Sequence, residues 1–361
     1  KDEMQFQKVF ILTGRHVARS GIIEKITTRL AEGGLEYQIF AEAVPEPAVE
    51  DIDRIVGILR ASGADAVLAV GGGSPIDTAK AVCMLMTHEG SCRDYLFGGT
   101  KTVAKPGMPL IAIPTTAGSG SEMTAAAVIE DKQKNVKLSI TSPYLVPKIA
   151  VIDPQLQTGM PPFITATTGM DALTHAIESY VSKRENPVAD LFALKAIKLI
   201  ARSIRAATAD GNDIQARADM ALASTLAGVA FMNGGLGIVH GISQTMGAIA
   251  HVAHGEANAL LLPYCMEKNA PACPERFRDI AQALGEDVSA RSSEEAAKLA
   301  AKAAFRLAED LHIPTKLHEV GVTREMFDAI VEGTMAYRML AINPMKITEQ
   351  DVRDILEAAY A

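Results

Sequence analysis

The sequence predicts an α/β domain with a parallel sheet over residues 1–155, followed by an all-helical domain over residues 156–361. Up to about residue 155, short apolar runs alternate with longer helical patterns, which is typical of a parallel α/β sheet. From about Pro161 onward, only helical patterns follow one another. A chain of 361 residues is also long enough to form two separate hydrophobic cores.

The elements of the first domain are bounded by glycine and other turn residues. We predict buried strands at residues 9–13, 37–41, 66–70, 110–113 and 150–152. Helices are predicted at residues 22–31 and 48–61, and residues 132–142 are typical of an exposed hairpin.

The second domain consists of helical patterns alone. Two helix starts carry capping-box spacing, Ser292 with Glu295 and Thr348 with Asp351. The predicted helices cover residues 169–182, 189–207, 215–232, 240–252, 274–284, 294–311, 324–336 and 349–359.

Composition argues against several classes of function. A net charge of -8 gives no support to binding of nucleic acid or of a membrane surface. The four cysteines form no CxxC pair, so neither a disulfide framework nor a zinc finger is indicated. No apolar run reaches about 18 residues and no leader pattern opens the chain. We therefore expect a cytoplasmic protein with reduced thiols.

A glycine-rich loop, Gly71 to Asp77, directly follows the third predicted strand. Ser74 suits a helix N-cap and Pro75 suits the first helical position. Backbone N–H groups at such a junction, helped by the helix dipole, bind a phosphate or pyrophosphate. The loop matches neither the G-x-G-x-x-G fingerprint nor a Walker loop. It predicts a cofactor phosphate site, with a tight structural turn as the alternative.

A second loop, Pro114 to Glu122, follows the next predicted strand and is rich in hydroxyl groups and glycine. Such a loop suits contacts with ribose, phosphate or a nicotinamide amide, although a solvated loop is nearly as good an interpretation. Two loops of this kind beyond the ends of parallel strands favour a nucleotide site more strongly than either does alone.

Asp171 and His175 lie four residues apart in a helical pattern, and therefore on one face of the helix. Glu178 falls on the same side. A helix of this kind can hold two corners of a divalent cation. The alternative is an exposed Asp–His ion pair, which is the more common use of this spacing, and a metal site needs further ligands.

A histidine-rich stretch downstream offers those ligands. If residues 240–252 are helical, His240, Gln244 and His251 share a face, and His254 follows the helix. With the Asp–His pair, His240 and His254 make a plausible Fe²⁺ or Zn²⁺ site. The other histidines are expected to be structural or solvated: His16, His88, His312 and His318.

Together these motifs resemble the iron-dependent (group III) alcohol dehydrogenases, over essentially the whole chain. The segments that carry the resemblance are Gly71-Gly72-Gly73-Ser74-Pro75-Ile76-Asp77, Thr115-Thr116-Ala117-Gly118-Ser119-Gly120-Ser121-Glu122, Gly169-Met170-Asp171-Ala172-Leu173-Thr174-His175-Ala176-Ile177-Glu178 and His254-Gly255-Glu256-Ala257-Asn258-Ala259.

The resemblance implies a nucleotide-binding domain and a helical metal-binding domain, an architecture like that of dehydroquinate synthase, with the active site in the cleft between them. It also implies a homo-oligomer, namely a dimer. The metal ligands that it implies are Asp171, His175, His240 and His254. Residues assigned to the cofactor site are Gly71, Gly72, Ser74, Asp77, Thr115, Thr116, Ser119 and Lys137.

Two positions depart from the family pattern. Relatives that prefer NAD carry an Asp after the first strand, where this chain has Gly14 followed by Arg15, and both are candidate cofactor residues. We expect NADP(H) to be accepted at least as well as NAD(H). The alternative is that Arg15 points into solvent and that Gly14 merely makes a turn. Many members also have a His near the reaction centre where this chain has Gln244, which does not titrate.

The sequence thus predicts hydride transfer between a small alcohol and a nicotinamide cofactor, either NADP(H) or NAD(H). Fe²⁺ is the expected metal and Zn²⁺ the alternative. The competing functions are a lyase like dehydroquinate synthase, a hydroxyacid–oxoacid transhydrogenase with a retained nucleotide, and a nucleotide-binding scaffold without activity.

Overall fold

A computed structural model describes residues 6–134 and 136–361 of the chain. The chain divides into two compact units. The first contains Lys1–Thr116 and Ser121–Gly159, and the second contains Ala117–Gly120 and Met160–Ala361. The short segment Ala117–Gly120 therefore belongs to the helical unit, although the residues on either side of it belong to the first.

The first unit is built on a five-stranded parallel sheet with the strand order β2-β1-β3-β4-β7. Its strands are β1 Lys8–Gly14, β2 Glu36–Ala43, β3 Ala66–Gly71, β4 Leu110–Pro114 and β7 Ile149–Ala150. The predicted parallel α/β sheet is confirmed. The last strand differs from its prediction, because β7 has only two residues and ends before residue 152. The helices of this unit are α1 Arg15–Arg19, α2 Ile22–Glu32, α3 Val49–Ser62 and α4 Gly73–Leu85.

Both faces of the inner strands β1 and β3 are buried. Along β1, Phe10 and Leu12 pack into the cluster formed with α3 and α4, whereas Val9 and Ile11 pack into a second cluster that contains Ile23 of α2. Side chains of a strand alternate between the two faces, so a strand buried on both faces is apolar throughout. This is why the sequence shows continuous apolar runs here.

A two-stranded antiparallel hairpin completes the first unit. It consists of β5 Ala126–Asp131 and β6 Val136–Thr141. A hairpin is present, but the predicted range of residues 132–142 was wrong, because it contains only β6 and the whole of β5 precedes it. Asn135, within the predicted range, lies outside the described residues.

The second unit is helical. Its helices are α5 Pro162–Val181, α6 Pro187–Ala209, α7 Ile214–Gly234, α8 Ile238–Ala250, α9 His254–Asn269, α10 Pro274–Ala283, α11 Ser293–Asp310, α12 Phe327–Met335 and α13 Glu349–Tyr360. Both predicted capping boxes are confirmed at α11 and α13. Three predicted ranges were wrong: α5 begins before residue 169, α8 ends at Ala250 rather than at residue 252, and residues 324–326 form a 3-10 turn ahead of α12. The helix α9 was not predicted.

Helix α5 lies at the centre of the helical unit. Its residues from Gly169 to Val181 are all buried, and it packs against α6, α7 and α9. The fully buried Arg217 of α7 holds the start of α5, donating to Thr165 Oγ1 at 2.8 Å and to the Met160 carbonyl at 3.2 Å. A polar side chain between Gly169 and Val181 therefore lies in the interior and needs an internal partner.

Among the described residues, no single helix is both long and apolar enough to cross a membrane. Helices α7 and α8 meet the length and composition test only as a pair, bent by 104°.

Candidate metal centre and nucleotide loops

Four potential ligands converge in the helical unit. One ligand atom from each of Asp171, His175, His240 and His254 can be chosen so that all four lie within 4.8 Å of one another. Asp171 Oδ1 lies 3.8 Å from His175 Nε2, 4.0 Å from His240 Nε2 and 3.6 Å from His254 Nε2. A tetrahedral cation with ligands at roughly 2.1 Å needs ligand atoms roughly 3.4 Å apart. The distances from Asp171 Oδ1 to the three histidine nitrogens, 3.6 to 4.0 Å, are therefore somewhat longer than the separation that a bound cation requires.

The turn between α8 and α9 brings His254 to this site. Helix α8 ends at Ala250 because His251 adopts the left-handed conformation, with φ of 56°. His254 then opens α9. Close approach of α9 to α5 depends on Gly255, where a Cβ would lie 2.8 Å from the Thr167 carbonyl oxygen. His251 thus ends the helix, so the prediction that it continues the helical face of His240 and Gln244 was wrong.

The orientation of His240 is set by Glu178, one turn beyond His175 on α5. The His240 Nδ1–H donates to Glu178 Oε2 at 2.6 Å, and the Val239 N–H donates to Oε1 at 2.6 Å. Both partners are almost fully buried. With its proton on Nδ1, the imidazole presents the lone pair of Nε2 to the site, an arrangement common to metal-binding histidines.

The charges of the site suit a divalent cation. Burial raises the pKa of Asp171, but the attraction of the three histidines and the hydrogen bond from Asn258 outweigh burial and bring this pKa below its usual value. Burial lowers the pKa of His175 to about 3, although Asp171 opposes the shift. At neutral pH Asp171 is thus a carboxylate and His175 a neutral imidazole, which are the ligand forms that Fe²⁺ and Zn²⁺ take.

Aromatic packing holds the imidazoles in place. The rings of His175 and Phe231 stack with centroids 4.4 Å apart, and His175 stacks on His240 at 4.8 Å. The side chain of His254 is 42% exposed, whereas those of Asp171, His175 and His240 are nearly inaccessible. The ligand set is thus open to solvent on the side of His254.

Gln244 lies one turn after His240 on α8 and is half-buried. Asn258 of α9 was not predicted to belong to the site. Its amide nitrogen lies 2.7 Å from Asp171 Oδ1. The signal was its spacing of four residues from His254, which places the two on one helical face only if residues 254–269 form a helix.

The glycine-rich loop lies at the carboxyl end of β3 in the first unit. Helix α4 begins at Gly73 with Gly72 as its N-cap, so the predicted capping by Ser74, with Pro75 as the first helical residue, was wrong. Gly71 has φ of 154°, and a Cβ at Gly72 would lie 3.1 Å from Thr116 Oγ1. Because Gly71, Gly72 and Gly73 carry no side chains, a phosphate can approach the backbone N–H groups at the start of α4.

Three other candidate residues lie at the same edge of the sheet as this loop. The Thr115 N–H donates to the Gly71 carbonyl at 2.9 Å, which brings the start of the hydroxyl-rich loop beside the glycines. Gly14 ends β1, the neighbour of β3 in the sheet, and the exposed Arg15 opens α1. These residues therefore share the carboxyl edge of the sheet, where nucleotides bind in open α/β folds.

Other candidate cofactor residues have protein partners. Asp77 accepts hydrogen bonds from Ser121 Oγ at 2.5 Å and from the Val128 N–H at 2.9 Å, so its carboxylate joins α4 to β5. Lys137 forms an ion pair with Glu46. The Glu46 N–H donates to Ser74 Oγ at 3.3 Å. Ser119 lies in the segment that belongs to the helical unit.

An α/β unit with a glycine-rich loop at the carboxyl edge of its sheet, together with a helical unit that brings one Asp and three His together, is the arrangement expected of a metal-dependent dehydrogenase with a nucleotide cofactor. The chain belongs to the iron-containing alcohol dehydrogenase family, whose models match residues 1–154 ("Iron-containing alcohol dehydrogenase") and residues 165–360 ("Fe-containing alcohol dehydrogenase family, C-terminal"). It is therefore an alcohol–aldehyde oxidoreductase, and the lyase, transhydrogenase and scaffold alternatives are not favoured.

Relatives cover almost the whole chain. Long-chain-alcohol dehydrogenase 1 of Geobacillus thermodenitrificans is 40% identical, over 98% of this chain and 89% of its own. The NAD-dependent methanol dehydrogenase of Bacillus methanolicus is 39% identical, over 98% of this chain and 92% of its own. The crystal structure of a 1,3-propanediol oxidoreductase, 38% identical, superposes with a TM-score of 0.96 over 99% of this chain and 94% of that chain.

Proposed function

We propose that this protein interconverts a small alcohol and its aldehyde with a divalent cation held by Asp171, His175, His240 and His254. Fe²⁺ is the proposed metal and Zn²⁺ the alternative, because one carboxylate and three imidazoles suit both. The observation that carries the proposal is the convergence of the four ligand atoms within 4.8 Å.

The residues of the helical unit have distinct roles in this proposal. When bound, the cation acts as a Lewis acid toward the substrate oxygen, while the nicotinamide carries the hydride. Glu178 keeps the proton of His240 on Nδ1, and Phe231 covers the ring of His175. The exposed side of His254 gives the substrate a way to the site. Gln244, near the reaction centre, offers hydrogen bonds to substrate or water without titrating.

The nucleotide is proposed to bind at the carboxyl edge of the sheet in the first unit. Its pyrophosphate would lie on the backbone N–H groups from Gly71 to Ser74, with Thr115 and Thr116 beside it. Asp77 supports this loop through its bonds to Ser121 and Val128. NADP(H) is proposed to be accepted at least as well as NAD(H), because Gly14 carries no carboxylate to repel a 2′-phosphate.

The relatives' names support a proposal for the class of substrate. The relatives' names cover long-chain alcohols, methanol and 1,3-propanediol, so a panel of alcohols from methanol to long-chain members is the appropriate screen. A cytoplasmic homodimer remains part of the proposal, to be checked by light scattering of the purified protein.

The metal centre is tested by replacing one ligand. His254→Ala removes the most accessible of the four, and we expect at least about 100-fold weaker Zn²⁺ binding, since loss of an outer hydrogen-bond partner alone costs 10–100-fold. Metal content by mass spectrometry and turnover with both cofactors provide the readouts.

His251→Asn is the matched control. It removes a histidine three residues away and keeps a side chain that tolerates the left-handed conformation. We expect unchanged metal content in this variant. A folded His254→Ala protein with a full complement of metal, or full turnover in a metal-free sample, would contradict the proposed centre.

A further inference from the structure

The side-chain amide of Asn258 contacts three ligands of the proposed metal centre. Asn258 is fully buried on α9, one turn after His254. Its Nδ2 lies 2.7 Å from Asp171 Oδ1, 3.1 Å from His254 Nε2 and 3.2 Å from His240 Nε2. One amide nitrogen thus contacts three of the four atoms that would bind the cation.

The orientation of this carboxamide follows from its neighbours. An NH₂ group has two hydrogens, so it can donate to at most two of the three acceptors at once. The shortest contact is to the charged carboxylate, as expected for a charge-assisted hydrogen bond. The reverse orientation would place Oδ1 against the Asp171 carboxylate. In the observed orientation, Oδ1 is buried and accepts no hydrogen bond from any described residue.

The acceptors of this amide are the lone pairs that a metal needs. His240 carries its proton on Nδ1, toward Glu178, so Nε2 is an acceptor. Asp171 is ionised and can only accept. A lone pair that is donated to a cation is no longer available to an N–H group. Asp171 Oδ1 has a second lone pair and can keep the amide as a donor. An imidazole Nε2 has only one, so the contacts of Asn258 with His240 and His254 belong to the metal-free protein.

Given the proposed metal centre, we propose that Asn258 stands in for the cation: its amide holds Asp171, His240 and His254 together in the metal-free protein and gives up its contacts with the two imidazoles when metal binds. Asn258 is then a positioning residue that stabilises the metal-free state selectively. By linkage, any group that stabilises only the metal-free state weakens metal binding.

The test compares Zn²⁺ affinity and thermal stability in variants of the whole chain. Asn258→Ala should lower the melting temperature of the chelator-treated protein more than that of the Zn²⁺-loaded protein. The dissociation constant for Zn²⁺, measured by competition with a chromophoric chelator, should fall about tenfold, which corresponds to about 1.4 kcal/mol. A side chain that merely supports the fold would lower both melting temperatures alike.

Asn269→Ala is the matched control, because Asn269 is a second buried carboxamide on the same helix. It bonds Asn343 rather than the ligands, donating to Oδ1 at 3.2 Å and accepting from Nδ2 at 2.7 Å. We expect this variant to lose stability in both states and to keep the wild-type affinity for Zn²⁺.

An unchanged or weaker Zn²⁺ affinity in Asn258→Ala would overturn the inference, and a weaker one would mean that Asn258 aids the bound cation. If the metal-free Ala variant does not fold, Asn258→Ser retains one donor and should show a smaller change in the same direction; an unchanged affinity there also overturns the inference. Failure of the wild-type protein to bind Zn²⁺ or Fe²⁺ would instead overturn the metal centre itself.

Discussion

Gly14 ends β1 with φ of −91° and ψ of 161°, an extended conformation open to any residue. A Cβ at this position would lie 3.2 Å from the Ala43 carbonyl oxygen, so a larger side chain needs only a small shift. A carboxylate here would accept hydrogen bonds from a ribose 2′-OH and repel a 2′-phosphate. Arg15, exposed at the start of α1, offers the phosphate a charge-assisted contact worth roughly 1.5–3 kcal/mol when well placed.

We therefore expect Gly14→Asp to move the ratio of kcat/KM toward NAD(H), with Gly14→Ala as the control that adds the Cβ without the charge. Steady-state kinetics with both cofactors measures the ratio. If the unaltered enzyme already favours NAD(H) by about tenfold, or about 1.4 kcal/mol, this interpretation of Gly14 and Arg15 is wrong.

Gln244 leads to a prediction about the pH dependence of the rate. An amide cannot relay a proton as an imidazole does, so proton release at this position would run through water or the nicotinamide ribose. Gln244→His should add a limb near neutral pH to the profile of kcat/KM. A limb already present in the wild-type enzyme, and abolished by His251→Asn, would show that a histidine serves this role.

At the residue scale, the spacing of residues along the chain predicted which side chains share a helical face. It did not predict which of them form hydrogen bonds with residues distant in sequence. Asp171 and His175 share a helical face whatever the rest of the fold does, so the sequence could show them together. Asp77 belongs to the motif of the glycine-rich loop, yet its carboxylate accepts hydrogen bonds from Ser121 and from the Val128 N–H. These partners lie more than 40 residues from Asp77 in the sequence, so a local sequence pattern cannot predict them.

At the scale of elements, helix α9 shows why part of the site escaped prediction. Helix α8 ends at a histidine in the left-handed conformation rather than at the usual glycine, and α9 contains Pro263 in its interior. Both features contradict the ordinary signals for a helix end and a helix interior. The position of His254 consequently depends on the turn between α8 and α9, which has no sequence signal that predicts it.

The junction of α4 with the segment leading into β5 yields a prediction about stability. Lys80 is fully buried on α4 and donates to Ser121 Oγ, Thr124 Oγ1 and the Ala126 carbonyl, each at 2.8 Å. Burial lowers the pKa of Lys80 to about 8, although the attraction of Asp77 opposes the shift. The same amine in the unfolded chain keeps its proton up to about its ordinary pKa of 10.5.

Between these two pKa values the unfolded state binds more protons, so the contribution of Lys80 to the free energy of unfolding rises with pH. Below the folded pKa both states are protonated and this slope vanishes. Urea unfolding at about pH 7 and pH 9.5 should show a steeper rise in the wild type than in Lys80→Met, since the variant cannot titrate. Equal slopes in the two proteins would mean that Lys80 keeps its ordinary affinity for protons when buried.

At the scale of the whole molecule, the four proposed ligands come from α5, α8 and α9, all in the helical unit, whereas the sheet unit contributes none. A ligand that binds only the folded state stabilises it by RT ln(1 + [L]/Kd), or about 2.7 kcal/mol when its concentration is 100 times Kd.

Zn²⁺ at that excess should therefore slow hydrogen exchange by roughly 100-fold for those amides in α5, α8 and α9 that exchange through unfolding of the helical unit. Amides in β1 and β3 should exchange at unchanged rates, because each unit has its own hydrophobic core. Exchange followed by mass spectrometry, with His254→Ala as the control that should show no protection, measures both regions in one experiment. Equal protection of the strands and the helices would contradict this prediction, because the two units would then unfold as one cooperative block.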